Sequence, residues 1–473
     1  MTFVAIFLVN AALSFALSLV VAQLVGPEAF GRYALALAIS VVINTALFEW
    51  LRLSTTRFYS ERVRRDEPQV ETSLNRAYFA TTALVLTSTV LLLVLGLDFG
   101  LSPGLLGAGA ALGVSVGIFD YRTAQARARF LDRRYAALLI GRGTLAFAAA
   151  TGAAWFWADP ILVLHGSALA AVATLVLVRD RGAPPARANL DRALLRRFAR
   201  YAVPLVAATA VYQLLPLINR AVLAGRSGFA EAGYFSLASE IATRLFQNLG
   251  SALDLALFQV AVRAEERDGA EAGERQIARN IAIIVALTCP ATVGLCAVWP
   301  SFEALFVPAA FRGHVSSAMM LAVPTFAAYA LVQYALNPLF QIRKRTGPVI
   351  AAAVVALAVN AGLLLIPGAA GTTNLAAIQL AGFAAGLLAM VALAIMARAA
   401  LPWRDIALSA GAAALMGAAL WPWRTMLPPV PGLISQVACG GAIYAALALA
   451  LNIAGARSVA WSLAARVRPE SFR

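Results

Sequence analysis

Residues 22–36 read AQLVGPEAFGRYALA, and a similar stretch recurs as AVLAG at 221–225 followed by EAGYFSLA at 231–238. Each is a short glycine-bearing junction between two long apolar runs. Runs 3–25 and 31–54 flank the first, and runs 201–223 and 233–259 flank the second. About 20 apolar residues suffice for a helix to cross ~30 Å of hydrocarbon. Both junctions therefore predict hairpins of membrane-spanning helices, with the same orientation.

Outward from these junctions the pattern continues. Further apolar runs occupy 78–97, 105–121, 136–157, 160–178, 280–300, 316–340, 348–366, 374–397, 406–422 and 433–455. This predicts an all-α polytopic membrane protein with about fourteen transmembrane helices. Composition agrees: apolar residues make up 61% of the 473 residues and charged residues 13%. A soluble chain carries about 25% charged residues. The first run has no basic segment before it and no cleavage motif after it, so it reads as a first helix and not as a signal peptide.

The two junctions lie six runs apart. A six-helix unit is therefore expected twice, with helices 13 and 14 additional. An even number of helices per unit makes the repeats parallel, related by a pseudo-two-fold axis along the membrane normal. The expected divisions are an N-terminal lobe at 1–179, a linker at 180–200, a C-terminal lobe at 201–398, the extra helices at 399–456 and a tail at 457–473. Two lobes so related can rock about a central cavity, as in a secondary transporter.

Charge sets the orientation. The net charge is +15, and Lys344 is the only lysine among 38 basic residues. Thirty of these lie in the even-numbered connectors and the tail, for example Arg57, Arg62, Arg64 and Arg65 in the second, and Arg343, Lys344 and Arg345 in the tenth. The odd connectors are short and rich in glycine and proline. The positive-inside rule then places even connectors and both ends in the cytoplasm. Arginines distributed in this way are topology signals, so no nucleic-acid partner is expected. The amphipathic tail segment AARVRPESFR is expected on the membrane surface or disordered.

Cys289, Cys296 and Cys439 lie in apolar runs without metal-ligand spacing. No nucleophile–base set, metal cluster or phosphate-cradling loop is evident, so neither a cofactor nor an enzyme is expected. His165 reads as a hydrogen-bonding residue of the bundle.

Ionisable residues within spans are costly and usually face a cavity or a partner. They are Glu49, Arg52, Asp120, Arg142, Arg220, Glu240, Arg244 and Asp254. Arg244 lies near mid-bilayer with Glu240 one turn earlier on the same face. The pair reads either as cavity-facing, able to open to a phosphate, or as a closed structural ion pair. Arginine suits phosphate because its fork matches the oxygens and stays charged. Arg220, near the external end of its span, and Arg142, two turns from the cytoplasmic border, are phosphate ligands or interfacial anchors. Glu49 and Arg52 share a face at i, i+3. If Gly31 and Gly233 are equivalent, Arg52 and Asp254 occupy matching positions, and a pair between them would close the cytoplasmic side. Pro204, Pro216, Pro290 and Pro324 lie inside spans and are expected to permit kinks.

Several stretches carry a family resemblance. LVGPEAFGRYALALAIS at 24–40, FEWLRLSTTRFYS at 48–60, CPATVGL at 289–295 and LNPLFQIRKRTGP at 336–348 resemble, in order, segments of the polysaccharide (O-antigen and exopolysaccharide) flippases. These belong to the multidrug/oligosaccharidyl-lipid/polysaccharide exporter superfamily, so the resemblance implies a MATE-like transporter fold. It also implies translocation of undecaprenyl-diphosphate-linked oligosaccharide across a bacterial inner membrane for surface polysaccharide biosynthesis. The implied partners are that lipid-linked substrate, membrane lipids, and the polysaccharide polymerase and chain-length machinery. On this reading Arg244, Arg220, Arg52 and Arg142 bind the diphosphate, while Glu49, Glu240 and Asp254 form gate or ion-pair contacts. Members often show an Asp-Arg pair near the end of the seventh helix, where this chain has Asn219-Arg220. The competing readings are a multidrug-type cation antiporter, which wants an acidic cavity, and a non-transporting scaffold for envelope glycan assembly.

Overall fold

The first helix, α1 (Thr2–Ile43), has 42 residues. At 1.5 Å per residue it is about twice as long as the hydrocarbon is thick. It breaks at Gly26, whose φ of 77° and ψ of 173° fall in a region that only glycine occupies without strain. Pro27 then opens the second half with a φ already suited to a helix. A π-helical turn at Asn44–Phe48 and α2 (Glu49–Phe58) complete the run. The computed structural model describes residues 2–96, 101–180, 189–343, 345–368, 370–458 and 460–461, and their side chains except at 2–8 and 254–256. Asp254's side chain, Lys344 and the tail segment 462–473 lie outside the described residues.

The remaining long helices are α4 (Pro68–Val94), α5 (Pro103–Ala128), α6 (Asp132–Trp157), α7 (Pro160–Leu177), α8 (Arg192–Ser227), α9 (Phe229–Asp268), α10 (Ala270–Phe306), α11 (His314–Ala330), α13 (Gly347–Leu364), α14 (Thr372–Met396), α15 (Trp403–Leu420) and α16 (Pro429–Leu451). The short α3 (Glu61–Asp66) bridges α2 and α4, and α12 (Asn337–Ile342) continues α11 through a π-helical turn at Leu331–Leu336. Among the described residues, thirteen helical segments are long and apolar enough to cross a membrane. The first, Val9–Phe58, contains two of the expected apolar runs on either side of Gly26. All fourteen runs are thus accounted for, and the chain is a multi-pass all-α membrane protein.

Local chemistry sets the helix starts. Ser60 caps α3 by accepting from Val63 N, and Asp191 caps α8 by accepting from Ala193 N and Leu194 N. Ser102–Pro103 and Asp159–Pro160 combine a cap with proline in the first turn. Pro204, Pro216, Pro290, Pro300 and Pro324 sit inside helices that run through them. Phe79, Val94, Phe156, Leu177, Leu388 and Met396 are exposed, as expected where lipid replaces water as solvent.

The chain forms two compact units. The first comprises Met1–Ile241, Pro308–Phe311 and Ala353–Gly382. Phe48, Leu51, Leu74, Tyr78, Tyr121 and Phe198 pack in its core. Tyr78 stacks on Tyr121 at 3.9 Å, and the Tyr121 hydroxyl donates to Asn75 at 2.7 Å. Phe48 lies where a Cβ on Gly117 of α5 would sit, 2.6 Å from its ring, so the π-helical turn seats against a residue with no side chain. A second device is a buried amide cluster. Asn219 of α8 donates to Asn360 at 3.0 Å and to Gln379 at 3.2 Å, and Asn360 donates back at 3.0 Å. All three amides are buried, and their mutual satisfaction ties α8, α13 and α14 together.

The second unit comprises Ala242–Val307, Arg312–Ala352 and Phe383–Arg473. Ala297, Met416 and Leu420 form a core between α10 and α15. The Tyr444 hydroxyl of α16 donates to the Ala286 carbonyl at 2.7 Å. Arg343 forks onto Glu274 at 2.9 Å and donates to the Ala397 carbonyl, so this member of the basic run at 343–345 is also a structural tie.

Candidate functional site

The first unit gathers membrane charges into two groups. One lies where the π-helical turn, α2, α5 and α6 meet. In a π turn the Glu49 N–H reaches the Asn44 carbonyl, which turns Asn44 and Glu49 towards one face. Asn44 donates to Asp120 at 3.1 Å. Asp120 also pairs with Arg142 at 3.6 Å, and the Arg142 guanidinium lies 4.8 Å over the Phe119 ring. About two turns past Asn44, Arg52 grips Glu49 with both arms of its fork, Nε to Oε2 at 2.6 Å and Nη2 to Oε1.

Glu49, Arg52 and Asp120 border a cleft of about 310 Å³. Glu49, Arg52, Thr56, Asp120, Thr123 and Arg127 supply its polar lining. The four charged side chains of the two pairs keep between 24% and 37% of their exposure, so neither pair is sealed inside the bundle. Behind it, the buried Tyr78 hydroxyl has no hydrogen-bond partner among the described residues. Arg127 lies exposed at the connector end of α5.

The second group lies on α1, α8 and α9. Ser18 donates to Glu240 at 3.3 Å. Glu240 acts electrostatically on Arg220, whose Nε is buried without a hydrogen-bond partner among the described residues. Arg220 directly follows Asn219 of the amide cluster. The Asn219 amide is engaged by Asn360 and Gln379. Arg244, one turn beyond Glu240 along α9, is half-buried and belongs to the second unit.

At the end of α2 the connector arginines form a third, structural network. Arg64 pairs with Glu61 and Glu71, Arg129 with Glu61 and Asp180, and Arg134 with Asp180. The Tyr59 hydroxyl donates to Glu71 at 2.8 Å. Burial first, and then the bond to Glu71, push the Tyr59 phenol above the ordinary tyrosine range. Burial alone would lower the Arg129 guanidinium, and its bonds to Glu61 and Asp180 reverse that. Several arginines expected only to orient the chain are thus also fastened. His165 bonds the Ile161 carbonyl of its own helix and is exposed.

Of the expected site residues, Glu49 and Arg52 come together with Arg142, and Arg220 comes together with Glu240. Asp254 has its side chain outside the described residues, and Arg52 is engaged by Glu49. Sequence reasoning left Asn44, Ser18 and Arg127 out of the site and gave Asp120 no role. A signal for Asp120 was present: it lies eight residues before the end of α5, and Arg142 lies ten after the start of α6. Consecutive antiparallel helices bring such residues to similar depth.

No family model matches the sequence, and no curated relative does. Solved structures share its fold. A structure of the lipid II flippase MurJ in an inward closed conformation matches with a TM-score of 0.71 at 13% identity, over 95% of this chain and 98% of that one. An inward-facing multidrug resistance transporter of the MATE family and MOP superfamily matches with a TM-score of 0.63 at 12% identity, over 82% and 94%. A MATE crystal structure in complex with MaD5 matches at 0.54 and 12%, over 82% and 93%. At these identities the likeness is one of fold: this chain is a multi-pass membrane protein built on the scaffold shared by MurJ and the MATE transporters.

Proposed function

We propose that the protein moves an undecaprenyl-diphosphate-linked oligosaccharide from the cytoplasmic to the periplasmic leaflet of a bacterial inner membrane, with both chain ends in the cytoplasm. Two lobes, 1–179 and 201–398, alternate access to a wet path for the sugar, while the lipid tail stays in the bilayer. The observation that carries this reading is the state of the membrane arginines. Arg52 and Arg142 are each paired with one partly exposed carboxylate that borders a cleft, and the Arg220 Nε is buried without a hydrogen-bond partner among the described residues. A diphosphate can displace Glu49 from Arg52 because it offers the same fork a doubly charged acceptor. Arg127 at the cleft's exposed end would meet it first.

Arg220 and Arg244 would hold the same group later in the path, with Glu240 as the internal substitute once it leaves. A carboxylate for each arginine keeps the empty protein near neutral in hydrocarbon, where an unpaired charge is expensive. A multidrug cation antiporter is less well supported, because each described acid of these two groups faces an arginine. In a deletion strain, the lipid-linked oligosaccharide should accumulate on the cytoplasmic side. Wild-type protein should clear it and Arg244→Ala should not. Full complementation by Arg244→Ala would remove Arg244 from the path, and absence of any accumulation would sink the substrate assignment.

A further inference from the structure

The repeated junctions meet each other. Gly26 and Gly228 share one glycine-only conformation, with φ and ψ of 77° and 173° in the first and 93° and 166° in the second. A helix restarts after each, and five residues later comes Gly31 or Gly233. These two glycines are in reciprocal contact. A Cβ on Gly31 would lie 1.9 Å from the Phe229 carbonyl oxygen and 2.9 Å from the Gly233 nitrogen. A Cβ on Gly233 would lie 2.2 Å from the Pro27 carbonyl oxygen and 3.3 Å from the Gly31 nitrogen. The obstructing atoms are backbone on both sides, so no side chain can swing away. Restoring an ordinary contact of 3.4 Å requires the helices to part by about 1.2–1.5 Å.

Neighbouring groups seal the same contact. The Arg32 guanidinium lies 4.9 Å over the Phe229 ring. Phe311 meets Phe30 and Tyr234 edge-on, each at 5.7 Å. Two turns further along α9, about 10 Å away by helix geometry, Glu240 accepts from Ser18 of α1. The Ser18–Glu240 contact thus lies beneath the glycine contact on the same pair of helices, with Arg220 reaching it from α8.

We infer that Gly31 and Gly233 form a backbone clasp that closes the periplasmic side over the Ser18–Glu240–Arg220 group, and that opening this side separates the clasp. The inference rests on the alternating-access reading and its orientation. It adds that the closed state depends on the absence of two Cβ atoms. A methyl at either glycine raises the energy of the closed state and leaves the open one untouched, so the population moves towards outward-facing.

The test uses full-length protein in cells, with Cys289, Cys296 and Cys439 replaced by serine and Ser18→Cys introduced as a reporter. A membrane-impermeant maleimide is the probe. Ser18 is 9% exposed, so labelling of the reporter protein should be slow. Adding Gly31→Ala or Gly233→Ala should raise the rate about tenfold, equivalent to ~1.4 kcal/mol. Gly225→Ala serves as the control, since nothing lies within 4 Å of its Cβ position, and it should change nothing. Rates unchanged in both alanine variants would overturn the clasp. If those variants fail to reach the membrane, Arg32→Gln combined with Phe311→Ala loosens the surround without adding a Cβ. That pair should also raise labelling, and no rise would overturn the clasp equally. A rise confined to inverted vesicles, with none in cells, would overturn the proposal by placing the contact on the cytoplasmic side. The readout contains no substrate, so it stands or falls separately from the accumulation of lipid-linked oligosaccharide.

Discussion

At the residue scale, the membrane charges show how an arginine is kept ready without being free. Arg52 and Arg142 each have one carboxylate partner, and both partners keep contact with the cleft. Glu49→Gln should therefore leave Arg52 underpaired in low dielectric and cost about 1–2 kcal/mol, well below the figure for a fully buried pair because both side chains remain partly exposed. Thermal unfolding in detergent reads this directly, and an unchanged midpoint would mean that water already satisfies Arg52. The amide cluster makes a sharper prediction. Asn360→Leu removes both Asn360 contacts of the buried Asn219 and orphans its Oδ1, and should cost about 2–3 kcal/mol. Some of these contacts were legible in the sequence. Glu49 and Arg52 stand at i, i+3, and a helix brings them together unaided. Ser18 and Glu240 are 222 residues apart, and only the packing of α1 on α9 makes them neighbours.

At the element scale, spans, caps and hairpin junctions could be read from hydropathy, from Ser or Asp before a first turn, and from glycine. The π-helical turn at Asn44–Phe48 could not. A helix that is apolar on most faces carries little periodic signal, so an added residue leaves no mark on its pattern. Yet this turn phases α2 against α5. Deleting Ala46 should restore α-helical register and rotate Glu49 and Arg52 by about 100° relative to Asn44. The variant should still insert and should lose complementation. Retained complementation would show that the phase of α2 is immaterial. Likewise, the break in α1 comes at Gly26, through a backbone conformation closed to other residues, a position to which the sequence reading gave no such role.

At the scale of the whole molecule, basic connectors and apolar runs were enough to count fourteen spans, while the scaffold that the chain shares with MurJ and the MATE transporters was implied by the resemblance of four short stretches. The resemblance to polysaccharide flippases and the arginine-bearing cleft together support a lipid-linked diphosphate as cargo. The most direct measurement reconstitutes purified protein in liposomes with an undecaprenyl-diphosphate oligosaccharide in the bilayer and follows exposure of the glycan to an impermeant glycosidase. The wild-type protein should expose glycan from the protected leaflet, and Arg52→Ala with Arg220→Ala should slow this by about tenfold or more, the loss expected from one charge-assisted hydrogen bond of ~1.5–3 kcal/mol. Exposure no faster than in protein-free liposomes, or equal rates in the wild type and the arginine variant, would contradict the account.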